Sequence, residues 1–571
     1  MTYATELSAI SRQPVTLAIV TLDYCAEVFG VGACTATGTQ CYNTFRTCKD
    51  RVNYNKSTKD YKFTSANTPI PFGTGERPYL ASVNYQPTEI KTSLTVNARV
   101  DLKLLDEEDS DVGIDPYVTS RSAVTGTYFK KLIARNPNYK GRPIKIYEGF
   151  MGLAEGSFVQ TWYGIIDNIK MQGTEITIEG VDILKKLAEV EVPTKRELKL
   201  MAGIDAAAVQ FTLNSATAIG TNGFIRIGEE IIGYGTLSTW TGIVSDCTRA
   251  EFGTNATVHN ADEKAQECRY YPAGDPWKDH MLNMLKTDAG ISTDYINEAA
   301  FTSASTWPLA ESASYSAIIS EPTKLADLFY ELVDLVDSRV WVAEDLKINV
   351  SRVVGNRPSR SYTTWTDEAN IILGSGAVDI NEGSRITRAS MYFDKISTGD
   401  DEKPAGYNRL AVAIEANAES SKEYNDVLEK KSYCRWLQSS NNASTTIDHT
   451  AKALVSRRVM NYRDALPIIE VSVERKDSDV KVGEYIHLNT DEILSMTGDD
   501  STGRYQVVYR DFGIDKTKYK LQKVPRRRVC FIGSTTIVQG YTSASSAEQE
   551  YGFISDSSGY MSDESEGYRI Y

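Results

Sequence analysis

The stretch LTVNARVDLKL, residues 94–104, decides the fold class: apolar side chains stand at 94, 96, 98, 100, 102 and 104, with polar ones at every position between. A period of two puts alternate side chains on opposite faces, so this is a strand with one buried face. Similar short blocks follow at 175–181 (EITIEGV), 468–473 (IIEVSV) and 485–488. Another, at 224–234 (FIRIGEEIIGY), is expected to be broken by a turn. Gly, Asn, Asp and Ser punctuate these blocks, and tyrosine outnumbers phenylalanine 33 to 16, which adds weight to β structure.

Helical periodicity is confined to fewer places. Leu325, Leu328, Phe329, Leu332 and Val336 form an i, i+3, i+4, i+7 stripe over 323–336, with Thr323 placed to cap it and the stripe placed to pack on a sheet. Further helices are expected within 121–135, 277–287 and 447–460. The fold class is therefore mainly β with inserted helices, a multidomain β/α+β chain. No internal repeat has a fixed period.

A length of 571 residues suggests about four domains of about 150 residues. Composition divides the chain into 1–70, an N-terminal strand with a cysteine loop; 71–199, a first β domain; 200–272, a small β module; 273–350, an α+β section; 351–525, a second β-rich domain; and 526–571, a Tyr/Ser/acidic extension suited to docking on a partner. No apolar run approaches the ~18 residues of a membrane span, so no span is expected. The first twenty residues lack a basic segment followed by an apolar one, which places synthesis in a cytosol. A net charge of -14 argues against a surface that clamps nucleic acid, and the short basic run Arg526, Arg527, Arg528 reads as a solvated strand end.

The main chemical signal is in YCAEVFGVGACTATGTQCYNTFRTCKD, residues 24–50, where Cys25, Cys34, Cys41 and Cys48 are separated by eight, six and six residues. In a cytosolic protein such bunching favours metal over disulfides. Structural zinc knuckles hold two to four residues between paired cysteines, and these spacings are wider. A larger inorganic core with all-cysteine ligation, an iron-sulfur cluster, suits them better, with zinc and metal-free thiols as the alternatives. Gly30, Gly32 and Gly38 let the backbone approach such a core, and Glu27 is the exception in a loop poor in carboxylates. Thr35 stands where a dinucleotide fingerprint needs its third glycine, so nucleotide binding is rejected.

Other chemistry is poorly supported. Four histidines (His259, His280, His449, His487) include no HExxH pair, and no GxSxG nucleophile elbow occurs. His259 reads as a hydrogen-bonded structural residue. The acidic run Asp106, Glu107, Glu108, Asp109, Asp111 lacks the ligand pattern of a calcium loop and reads as a solvated surface. Glu229 and Glu230 are expected on opposite strand faces, or both in solvent at a turn. Cys247 and Cys268 share the small module and could face each other, whereas Cys434 and Cys530 read as isolated buried thiols. The Asn-x-Ser/Thr matches at Asn55, Asn255 and Asn442 carry no weight without secretion.

The segment CYNTFRTCKDRVNY, with Cys25 and Cys34 upstream, resembles the amino-terminal signature of tail-tip hub proteins of long-tailed bacteriophages and gene transfer agents. Residues 115–150 with 162–187 resemble the β-barrel that follows in such hubs. The IRIGEEIIGYG segment with CTRAEFGTNATVHNADEKAQECRYY resembles a small module inserted in phage tip proteins, and DSDVKVGEYIHLNTDEIL with GRYQVVYRDF resembles a second hub barrel. These likenesses cover most of residues 1–530 and are most specific in the first fifty. The resemblance implies a non-enzymatic virion protein, a homotrimeric tail-tip or baseplate hub assembled in a bacterial cytoplasm. It implies Cys25, Cys34, Cys41 and Cys48 as ligands of a structural [4Fe-4S] cluster. It also implies the distal tail or tube protein, the tape measure protein and a central tip or fibre protein as partners. The competing functions are a tail-associated cell-wall or polysaccharide hydrolase and a zinc-bound cytosolic interaction module.

Overall fold

The computed structural model describes residues 13–65, 76–86 and 98–524, apart from 123, 217–218, 274–275, 306–313, 344, 353–361, 381, 397–400, 440–443, 475–476, 495–497, 499 and 513–515, together with 532–533, 553–554 and 568–570. Its contacts divide the chain into two units, residues 1–189 with 341–348, and residues 190–340 with 349–571.

The first unit is built on a closed seven-stranded barrel. Its strands are β1 (Pro14–Cys25), β2 (Lys56–Ser65), β3 (Glu76–Gln86), β4 (Arg99–Leu105), β5 (Pro143–Phe150), β6 (Val159–Gln172) and β7 (Glu175–Asp182), ordered β1-β2-β3-β4-β7-β6-β5. All neighbours are antiparallel except β2 and β3. The alternation at 99–105 is realised on β4. Val100, Leu102 and Leu104 are wholly buried and lie opposite Gly180, Ile178 and Ile176 of β7. Residues 94–97, the start of that run, lie outside the described residues. Strands from both sides of position 70 close this one barrel, so the cysteine loop is an excursion between β1 and β2.

A helix, α1 (Tyr128–Arg135), adds Tyr128, Phe129 and Leu132 to the barrel core, where Phe129 and Tyr128 meet Phe63 with ring centroids 5.1 and 5.9 Å apart. The barrel is a packed core, not a pore. The other face of β1 is covered too, because Val15, Leu17 and Ile19 pack with Phe150, Leu153 and Phe158. Where β6 passes β7, a Cβ on Gly164 would lie 2.1 Å from the Val181 carbonyl and 2.3 Å from the Trp162 ring. Gly164→Ala is therefore expected to destabilise the protein by about 1–3 kcal/mol through overpacking, read as a lower urea midpoint at unchanged slope.

In the second unit, residues 198–319 form one sheet. Its strands are β9 (Leu198–Lys199), β10 (Phe211–Thr212), β11 (Gly223–Ile227), β12 (Glu230–Leu237), β13 (Ile243–Thr248), β14 (Lys264–Tyr271) and β15 (Ala317–Ile319). They run in the order β10-β13-β12-β11-β14-β15, with β9 also on β14; the short β8 (Glu191–Val192) pairs elsewhere, with residues 323–324. The expected turn in 224–234 falls at residues 228–229, between β11 and β12. Cys247 lies opposite Tyr234, and Cys268 opposite Phe224. Two strands separate the cysteines, a span of about 14 Å at 4.7–4.9 Å per strand, and their rows face opposite sides of the sheet. Disulfide bonding needs Cα atoms within about 7 Å, so these two cannot pair. Alkylation of the denatured, unreduced protein, read by peptide mass, is expected to label both; a disulfide-linked peptide would contradict this strand order.

Residues 363–523 hold a six-stranded sheet, an open path of strands, around Trp365, Ile469, Val471, Tyr505 and Tyr519. A three-stranded sheet (Arg388–Lys395, Tyr407–Ile414, Glu429–Tyr433) packs against the helix Ser444–Tyr462. The expected helix at 323–336 is Leu325–Leu335, capped by Lys324 without a side-chain bond. Thr323 instead belongs to the short strand paired with β8, so its capping role is lost to sheet pairing. The basic run at 526–528, Cys530 and most of the 526–571 extension lie outside the described residues.

Candidate metal centre

The four cysteines are brought to one end of the barrel by two anchors. Cys25 is the last residue of β1, and its N–H donates to the Asn43 carbonyl at 2.7 Å, closing the loop on itself. Asn43 adopts a left-handed backbone (φ 52°), and its side-chain amide donates to the carbonyls of Cys25 and Glu27. The second anchor is cationic. The Tyr42 ring lies between the guanidinium groups of Arg121 and Arg135, 3.8 and 4.1 Å from its centroid, and Arg121 donates to the carbonyls of Gln40 and Cys41. Arg121 is itself held by buried Asp115. The Thr44 hydroxyl donates to the Arg135 carbonyl at 2.7 Å, and the Phe29 N–H to the Tyr117 hydroxyl at 2.8 Å.

Within this frame Cys25 and Cys41 are buried and Cys34 and Cys48 half-buried, all four as free thiols. Burial pushes the Cys41 thiol up, and the charges of Cys48, Cys25 and Cys34 each push it further, so all three other sulfurs stand within electrostatic reach of Cys41. A single zinc ion needs its thiolates about 2.3 Å from one point. Among the described residues no three His, Cys, Asp or Glu side chains are close enough together to hold a metal ion. The described geometry therefore does not draw three or more of these cysteines into a one-ion site.

Two further observations bear on the fit. The Tyr54 hydroxyl is buried without a hydrogen-bond partner, and its pKa is pushed up to about 12 by burial and by the charges of Cys25, Asp23 and Cys48. Arg142 Nε is likewise buried without a partner. The loop's carboxylates point to other partners: Glu27 accepts from Asn55 at 2.8 Å, and Asp50 from Thr35 and Asn53. Gly30 and Gly32 have positive φ (69° and 63°), as the tight turn between the first two cysteines demands. Around the loop, the Arg121 and Arg135 guanidinium groups are engaged by Asp115 and Asp111.

Elsewhere the structure corrects two readings. The acidic run is a solvated surface only in part: Glu107 and Glu108 are exposed, but Asp106 and Asp111 are each 2% exposed. Asp111 pairs with Arg135 and Lys131, Asp109 with Arg77 at 2.6 Å, and Asp106 accepts the Phe129 N–H at 2.8 Å. These partners come from distant positions in the chain, so nothing local announced them. The adjacent carboxylates are held apart as one of the two expectations had it, Glu229 exposed at the turn, but against the solvated alternative Glu230 is fully buried. It accepts from Arg249 Nε at 2.7 Å and Nη2 at 2.8 Å, from the Ala250 and Thr257 N–H groups, and bonds His259 Nε2 at 2.9 Å. Burial opposes its charge, but the bonds to Arg249, Thr257, His259 and Ala250 prevail and bring its pKa down to about 2. His259 also bonds Glu263 at 3.1 Å, the structural role expected of it.

A cavity of about 580 Å³ opens in the second unit, lined by Phe252, Tyr270, Ile318 and Asn408 among others. The carboxylates that reach it, Glu229 and Asp394, do not form a hydrolytic pair: Glu229 is exposed beside Arg226, and Asp394 is buried and engaged by Ser439 and Arg409. Among the described residues no helix is long and apolar enough to cross a membrane.

No protein-family model and no curated protein matches the chain. Several solved structures are similar at low scores. The tail protein from Neisseria meningitidis MC58 has a TM-score of 0.34 and 10% identity, over 78% of this chain and 94% of that one. The prophage tail protein gp18 from Listeria monocytogenes EGD-e has a TM-score of 0.34 and 10% identity, over 78% and 91%. A chain from the virion of a native gene transfer agent particle has a TM-score of 0.30 and 11% identity, over 81% and 90%. At these scores the likenesses carry no argument about function.

Proposed function

We propose that the chain is a structural subunit of a bacteriophage-type tail tip, a hub between tail tube and receptor-binding tip, with an iron-sulfur cluster, [4Fe-4S], held by Cys25, Cys34, Cys41 and Cys48. What supports this reading is a loop of residues 26–55 that carries the cysteines and leaves the wall of a closed β barrel at Cys25 and re-enters it at Lys56. The resemblance of the cysteine segment to tail-tip hubs supplies the biological setting. It also supplies the homotrimer, the virion location and the partners: the distal tail or tube protein, the tape measure protein and a central tip or fibre protein.

When bound, such a cluster supplies four metal-thiolate bonds, and here their use is architectural. The loop has few apolar side chains directed inward; Val28, Val31 and Val52 are exposed, so a covalent centre replaces the core it lacks. Arg121 and Asn43 hold the backbone of the ligand segment, and the Glu27 and Asp50 carboxylates are kept on other partners. Anaerobic purification followed by iron and acid-labile sulfide analysis tests the reading, with about four of each expected per chain. Zinc in place of iron, or no metal, would overturn the cofactor. A monomer by light scattering would overturn the homotrimer, and clearing of host cell wall in a zymogram would favour the hydrolase.

A further inference from the structure

We infer that the cavity of the second unit binds a neutral saccharide without cleaving it, between the rings of Phe252 and Tyr270 and the carboxamides of Asn255 and Asn408. Every residue it uses belongs to the second unit, so the site stands without the iron-sulfur reading. Its volume of about 580 Å³ is that of a small-molecule pocket. One wall is aromatic. Phe252 stands edge-on to Phe224 at 4.8 Å and tilted to Tyr270 at 5.0 Å. The three rings pack on the small cluster Ile231, Cys268 and Ile318, yet all three stay half-buried, and Phe252 and Tyr270 line the cavity. Phe252 is held there against its backbone preference: its φ of 53° and ψ of 36° are left-handed, and Ala250 (φ 60°) and Gly253 (φ 73°) beside it are left-handed too. Such strain in a bulky residue concentrates at ligand sites.

The polar groups choose the ligand. Among the described residues each charged side chain at the cavity is already compensated: Glu229 by Arg226, Asp394 by Arg409, and Lys395 by Asp401. A charged ligand finds no free counter-charge, so the ligand is neutral. The carboxamides of Asn255, in the loop after residues 251–253, and of Asn408, on the strand Tyr407–Ile414, are exposed and have no side-chain partner among the described residues. Each both donates and accepts, as does the Tyr270 hydroxyl. A saccharide presents the matching surface, with hydroxyls that donate and accept around its rim and C–H faces that lie on aromatic rings. Peptide recognition instead uses a strand edge, a helix groove or charged clamps, and the free groups here are two side-chain amides beside two rings. Because Glu229 and Asp394 form no hydrolytic pair, a bound sugar is held and not cut.

Saturation-transfer NMR and calorimetry on the full chain test the site, with maltotriose, cellotriose and triacetylchitotriose as probes and the capped tripeptide acetyl-Ala-Ser-Ala-amide as the peptide control. At least one of the sugars is expected to bind with a Kd of about 1 mM or tighter, to take up saturation chiefly in its ring C–H protons, and to be recovered uncut. Asn408→Ala is expected to weaken that binding about 3–10-fold, the loss of one hydrogen bond. Phe252→Gly suits the left-handed backbone and removes the ring, so it is expected to weaken binding further. Asn408 is exposed, so its variant still decides should loss of the Phe252 ring disturb the module. Absence of binding by all three sugars at about 10 mM overturns the proposal. So do equal affinities in the wild type and both variants, cleavage of the bound sugar, or binding of the peptide alone.

Discussion

Cys41→Ser is expected to abolish the visible absorbance and bound iron of the anaerobically purified protein while leaving the far-ultraviolet circular dichroism of its β domains unchanged. Cys41 is buried, and its own carbonyl accepts from Arg121, so a weaker oxygen ligand there cannot be compensated by solvent. The barrel does not depend on it. Its core residues, from Val20 through Phe63 and Leu102 to Ile178, form a continuous cluster that includes no cysteine. The expected pattern is local: protease sensitivity and hydrogen exchange rise in residues 26–55 alone. Full iron content in the variant would sink the ligand assignment, and global unfolding would show that the barrel needs the loop.

The second large effect is at Arg249. Arg249→Ala leaves Glu230 buried without its bidentate partner, and breaking a buried pair on one side typically costs about 3–5 kcal/mol. Exchange protection in 223–271 should fall accordingly, with the first unit's barrel unaffected. The wild-type acid profile follows from the same pair. The folded pKa of Glu230 lies near 2, below its value of about 4.3 in an unfolded chain, so the stabilisation is complete above the unfolded value and is lost as pH falls toward 2. A depression of this size corresponds to about 3 kcal/mol. Glu230→Gln should remove that slope between pH 5 and 2 as well as lowering stability at neutral pH. An unchanged acid slope would show that another carboxylate dominates.

What could be read from the sequence depended on whether the deciding contacts were local. Alternation at 94–104, 175–181 and 468–473 marks strands because each residue's face depends only on its position in the run, and strands stand at 99–105, 175–182 and 467–474. The helical stripe beginning at Leu325 was equally readable. Thr323 was misread because its sheet partner, Val192, is more than a hundred residues away. The same limit hid Glu230: its partners Arg249 and His259 lie 19 and 29 positions downstream, and only the folded module brings them together. In the candidate site the ligand set was visible as bunched cysteines. Its supports, Arg121 and Arg135, were not, since both lie beyond Ser120.

The loop's attachment has a mechanical consequence. Its two ends, Cys25 and Lys56, are directly paired, and β1 and β2 stay in register from there to Leu17 and Thr64. A pull on the loop along the strands therefore loads β1 and β2 together, in shear, against β5 on one side and β3 on the other. Ladder bonds on the antiparallel β5 side run across the strands, so such a pull strains many of them at once instead of opening them one by one. Rigidity in the loop becomes rigidity in the barrel wall.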